Sequence, residues 1–141
     1  MRHRVAAVSA AALLCLGGTT GVARAEPASP SGPSALVFTV ARGDASSGTV
    51  LRAAVLSCAY TAGGTHPAPR AACDAVNAAG GSFDRLLAAS SGGSRPCPKR
   101  FDPVTVTADG VWQGTRVSWK HSFANPCLMS AALKDDPVFA F

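Results

Sequence analysis

Lys99 and Arg100 stand side by side in the stretch RPCPKRFDP, residues 95 to 103, together with three prolines, a cysteine and a phenylalanine. The chemistry such a pair invites is hydrolysis, because the peptide bond after a basic residue is what a trypsin-like protease attacks. The surroundings are wrong for an ordinary cleavage site. Proline fixes its own φ at about −65° and drives the residue before it toward extended geometry. Pro96 therefore extends Arg95, Pro98 extends Cys97, and Pro103 extends Asp102. The Lys99–Arg100 bond lies between two prolines and beside a cysteine that can tie it to the rest of the fold.

An extended, pre-ordered, exposed peptide is the shape a serine protease binds, through β-like backbone pairing. Preorganisation removes most of the ordering cost on binding. Rigidity also opposes turnover. Attack at Lys99 places its carbonyl carbon on the enzyme serine and its oxygen in the oxyanion hole. A flexible substrate then loses its amine half. Here Arg100 stays held by Pro103 and the strand that follows, and Lys99 by Pro98 and Cys97. Religation competes because the amine remains at high effective concentration. The plain alternatives, a processing site or a solvated basic pair, leave the flanking prolines without a purpose.

No other constellation suggests chemistry. There is no H-E-x-x-H, no G-x-S-x-G and no phosphate-binding glycine motif. His66 sits in a Gly/Pro stretch and His121 beside Lys120, and neither has a nominated partner; both read as surface or half-buried histidines. The acidic residues are scattered, so no glycosidase-style carboxylate pair stands out. Asp109 reads as a turn residue, and Asp135 and Asp136 as a solvated turn before Pro137. Trp112 and Trp119, seven residues apart, share a face only across a bulge and read as core or interface. Cys58, Cys73, Cys97 and Cys127 lack C-x-x-C spacing, which argues against a metal site; no cofactor is implied. Cys15 falls in the N-terminal apolar segment, and the four cysteines left in a small exported chain read as two disulfides with three possible pairings. Sequential pairing, Cys58 with Cys73 and Cys97 with Cys127, is the simplest because each closes a local loop.

The elements that must position the loop are readable in outline. MRHR, an apolar run to about Leu16 and the small residues Ala23 and Ala25 describe a secretory signal peptide, residues 1–25, cut after Ala25. The run is too short to span a membrane, which takes ~20 residues. Removing it leaves 116 of 141 residues, enough for one core, and takes out Arg2, Arg4 and Arg24, so the net charge of +5 falls to +2. No basic stripe for nucleic acid and no basic amphipathic helix for a membrane surface remain.

Residues 26–34, rich in proline and serine, read as a flexible arm, and 35–141 as a single domain. ALVFTVAR (35–42) and GTVLRAAVLSC (48–58) are predicted strands, 61–69 a loop, 70–81 a helix stopped by Gly80 and Gly81, and 83–90 a second helix capped by Ser82. A hairpin is predicted around Asp109-Gly110, and Val138–Phe141 as an edge strand. The sum is an α+β two-layer sandwich: a five-stranded antiparallel sheet, two short helices on one face and two disulfides.

CPKRFDPV, DGVWQGTRVSW, ANPC, GTHPAP and the terminal VFAF together resemble the Streptomyces subtilisin inhibitor family across essentially the whole chain after the signal peptide. The resemblance implies the same α+β sandwich, a homodimer built by sheet packing, and substrate-like, tight-binding inhibition of extracellular serine proteases. The cysteine spacings, 15 and 30 residues, resemble the family's two disulfides and support sequential pairing. It implies a reactive bond between Lys99 and Arg100, with Lys99 in the enzyme's primary specificity pocket. Cys97 and Pro98 lie on the acyl side, Phe101 and Asp102 on the leaving side. Asn125 matches a position that braces the loop, with Pro103 as a further support. The family residue at the Lys99 position is often apolar. Lysine suits a pocket with aspartate at its base, while a broad subtilisin-type pocket takes its aliphatic stem, so both trypsin-like and subtilisin-like targets are expected. The competing class is a secreted scaffold without inhibitory activity, such as a cross-linking substrate or adaptor. A small exported hydrolase ranks third, lacking a nucleophile with its base.

Overall fold

A computed structural model describes residues 32–90 and 96–141. The expected signal peptide, residues 1–25, and most of the expected proline-rich arm lie outside the described residues. Residues 33 and 34 are tied in: the Pro33 carbonyl accepts from Gly114 N at 3.0 Å and the Ser34 carbonyl from Cys58 N at 2.9 Å.

β1 (Ala35–Arg42) and β2 (Thr49–Cys58) form the predicted antiparallel pair. β3 (Ala62–Gly64) adds a short strand to the outer side of β2, within the segment expected to be a loop. α1 (Pro69–Ala78) and α2 (Phe83–Ser90) follow. α1 ends as the glycines predict: Gly80 and Gly81 have φ of 63° and 75°, and Gly81 N reaches back to Val76 O at 2.9 Å. β4 (Val104–Trp112) and β5 (Thr115–Phe123) complete a five-stranded sheet of order β3-β2-β1-β4-β5. A third helix, α3 (Pro126–Leu133), was not expected.

The β4–β5 turn corrects the predicted hairpin. It falls at Gln113-Gly114, both with positive φ (48° and 80°), the geometry that matches the twist of paired strands. Asp109 and Gly110 lie inside β4. A Cβ on Gly110 would come within 2.2 Å of the Ala35 carbonyl oxygen, so glycine there serves a close strand approach. Asp109 Oδ1 accepts from Ser118 Oγ at 2.9 Å across the pair. Moving the turn also puts Trp112 on β4 and Trp119 on β5. Trp119 pairs with Ala108, which is in phase with Trp112, so both indoles share the core face without a bulge.

That face carries Leu36, Phe38, Val40, Leu56, Val104, Val106 and Phe123. Against it pack Val76 of α1, Phe83 and Leu86 of α2, and Met129 and Leu133 of α3. Burial of each large side chain stabilises by about 1.5–3 kcal/mol. Val138–Phe141 forms no strand. Its turn is held by Asp136, which accepts from Val138 N at 2.8 Å and Ser90 Oγ at 3.1 Å, so Asp136 is buried and not solvated. Phe139 and Phe141 pack around Phe38. His66 is buried rather than exposed or half-buried: Ala68 N donates to its Nδ1 at 3.1 Å, and Nε2 lies 3.0 Å from the Val138 carbonyl oxygen. It fastens the C-terminal segment to the β3–α1 connection.

The opposite sheet face has no covering layer among the described residues. Val37 and Val55, direct cross-strand partners, are 44% and 41% exposed there.

Candidate functional site

The prolines and the second disulfide define the site. Residues 96–103 have no regular secondary structure. Pro98, Lys99, Arg100 and Phe101 are exposed, Phe101 at 79%. Lys99 and Arg100 have no side-chain hydrogen bond or ion pair among the described residues. Their charges face water with nothing to break before binding.

Both ends of the segment are fastened. Cys97 joins Cys127 at the start of α3, while Cys58 joins Cys73 in α1, the sequential pairing. Asp102 N donates to Ala124 O at 2.9 Å, and the Pro103 carbonyl accepts from Gly43 N at 2.7 Å. The downstream side therefore runs straight into β4, whose Thr105 hydroxyl also donates to Gly43 O at 2.7 Å. Asp102 is half-buried, with no side-chain hydrogen bond among the described residues.

Asn125 supports the middle. It is 4% exposed, and its Nδ2 donates to the carbonyl oxygens of Pro98 at 3.1 Å and Arg100 at 3.0 Å. Its Oδ1 accepts from Leu128 N at 3.0 Å, capping α3. One amide thus uses both donors and an acceptor, and couples the loop to the helix. Successive carbonyls of an extended chain point to opposite sides. The Lys99 carbonyl, between the two that Asn125 holds, has no donor among the described residues.

The arrangement presents a basic residue on a backbone fixed from behind, with its carbonyl free in front. Of the two histidines among the described residues, His66 is built into the core and His121 stacks on Trp119 in β5. Among the described residues no three His, Cys, Asp or Glu side chains gather as a metal site, and no helix is long and apolar enough to cross a membrane. Sequence reasoning missed α3, and with it Leu128, which is 41% exposed beside the loop. An asparagine cap followed by proline at the first helical position was the available signal.

A family model described as Subtilisin inhibitor-like matches residues 32–125. Subtilisin inhibitor-like protein 15 of Streptomyces bikiniensis is 56% identical over 110 residues, covering 76% of this chain and 96% of the relative. Kexstatin-1 of Streptomyces platensis is 44% identical over 149 aligned positions, covering all of both chains. Among solved structures, Streptomyces caespitosus sermetstatin in complex with Bacillus licheniformis subtilisin superimposes with a TM-score of 0.73 at 65% identity. The match spans 78% of this chain and all of that one.

Proposed function

Given that the chain belongs to the subtilisin inhibitor-like family and is a protease inhibitor rather than an enzyme, we propose that Lys99–Arg100 is its reactive bond. Lys99 enters the primary pocket of an extracellular serine protease, and the loop inhibits by binding as a substrate that is held together. The observation that carries this reading is the spacing of the Asn125 hydrogen bonds. They engage the carbonyls of Pro98 and Arg100 and leave that of Lys99 for an oxyanion hole. Arg100 as the acyl residue would first have to give up its bond to Asn125, so the register favours cleavage after Lys99.

In this reading Cys97 and Pro98 contact the enzyme on the acyl side, and Phe101 and Asp102 on the leaving side. Asn125 and Pro103 support the loop from behind. The targets are both trypsin-like, reading the Lys99 ammonium, and subtilisin-like, accepting its aliphatic stem. The protein is secreted after removal of residues 1–25 and pairs as a homodimer through the open sheet face around Val37 and Val55. Titrating trypsin and subtilisin with the protein and with Lys99→Val tests the assignment. Valine should abolish trypsin inhibition and spare that of subtilisin; loss of both, or of neither, contradicts the role of Lys99.

A further inference from the structure

We infer that Leu128, on the first turn of α3, is a protease contact outside the reactive loop and favours enzymes with an apolar rim beside the primary pocket. The inference rests on the reactive-bond reading above and adds a second segment to the interface.

Helix register explains why the side chain is available. Met129 and Leu133, four residues apart on one face of α3, turn into the core and are 7% and 8% exposed. Leu128 lies off that stripe and remains 41% exposed. A scattered exposed leucine is ordinary, but this one has a place. It lines a hollow of about 200 Å³ together with Pro98, Lys99, Arg100 and Phe101. Phe101 is itself 79% exposed, so the two form an apolar patch at the reactive bond. The other exposed large apolar side chains, on β1 and β2 and at Tyr60, belong to neither the loop nor α3.

The backbone at Leu128 is also tied to the loop it would act with. Its N–H donates to Asn125, the residue that holds the Pro98 and Arg100 carbonyls. The preceding residue, Cys127, is bonded to Cys97. Leu128 is therefore presented in a fixed position relative to Lys99, and burying it against an enzyme requires little further ordering. A protease that closes over Lys99 and Phe101 covers the mouth of the same hollow. Apolar enzyme groups there gain by desolvating leucine, and charged ones lose.

The test measures inhibition constants of Leu128→Ser, Leu128→Glu and Leu128→Met for subtilisin and trypsin, with the rate of cleavage of the loop and the melting temperature of each variant. The expected result is about tenfold weaker inhibition of at least one enzyme by the serine variant, a larger loss for glutamate, and little change for methionine. Cleavage rate and melting temperature should stay as in the unsubstituted protein. Inhibition constants of the serine and glutamate variants within about twofold of the parent overturn the inference alone. So does weakening that comes only with faster cleavage and a lower melting temperature, since the side chain then merely props the loop. If the unsubstituted protein inhibits neither enzyme, the reactive-bond reading falls as well.

Discussion

The side-chain amide of Asn125 donates to the carbonyl oxygen of Arg100 at 3.0 Å, from a residue that also caps α3. With its second bond, to Pro98, this relationship sets the register of the loop around Lys99. It also makes two demands on one residue, a donor pair for the loop and an acceptor for the helix, and substitution can separate them.

Asn125→Asp keeps an oxygen for Leu128 N but turns both loop-facing donors into an acceptor beside two carbonyls. Two hydrogen bonds worth about 0.5–1.5 kcal/mol each are lost and repulsion is added. Inhibition should weaken by roughly tenfold or more and cleavage of the loop should accelerate, with a small change in melting temperature because the cap survives. Steady-state inhibition assays and thermal unfolding measure both. A large stability loss with unaltered inhibition would mean that Asn125 serves only α3.

The two disulfides should separate in the same manner. Each closes a loop, of 15 and 30 residues, and in the chain-entropy model each stabilises by about 3–4 kcal/mol. Replacing Cys58 and Cys73 with serine should lower stability but leave inhibition intact at temperatures where the variant is folded. Replacing Cys97 and Cys127 should lower stability comparably and also convert the inhibitor toward a substrate. Calorimetry alongside inhibitor titration distinguishes the two effects.

Val37 and Val55 face each other across β1 and β2 on the uncovered side of the sheet. If this face joins two copies, Val37→Lys combined with Val55→Lys places two charges in the interface and should yield monomers in sedimentation analysis. Inhibition per chain should persist, because the loop is held by Gly43, Ala124, Asn125 and the Cys97–Cys127 disulfide rather than by that face. A parent protein that sediments as a monomer would remove the dimer.

How far the sequence could be read depended on whether a residue's role was local. β1, β2, α1 and α2 were legible because β-branched runs, helical spacing and stop glycines act within their own segments. The hairpin turn was misplaced because Asp109-Gly110 imitates a turn, whereas Gly110 is required by the Ala35 carbonyl on a neighbouring strand. β3, Ala-Gly-Gly, has no strand-forming side chains and is made a strand by pairing with β2. VFAF has the composition of a strand, but Asp136 and His66 hold it as a turn over the core. At the site, the prolines and the basic pair were readable directly. The hold of Asn125 on the loop spans 25 and 27 residues, and its place at the site was suggested only through resemblance. Leu128 was invisible until α3 gave it a direction.

The Lys99–Arg100 reactive bond is tested most directly by incubating the protein with a small amount of trypsin at low pH and mapping the cut by mass spectrometry. One cleavage is expected, between Lys99 and Arg100, with the two parts remaining joined through Cys97–Cys127. Cleavage after Arg100, or elsewhere in the chain with Lys99–Arg100 intact, would contradict it.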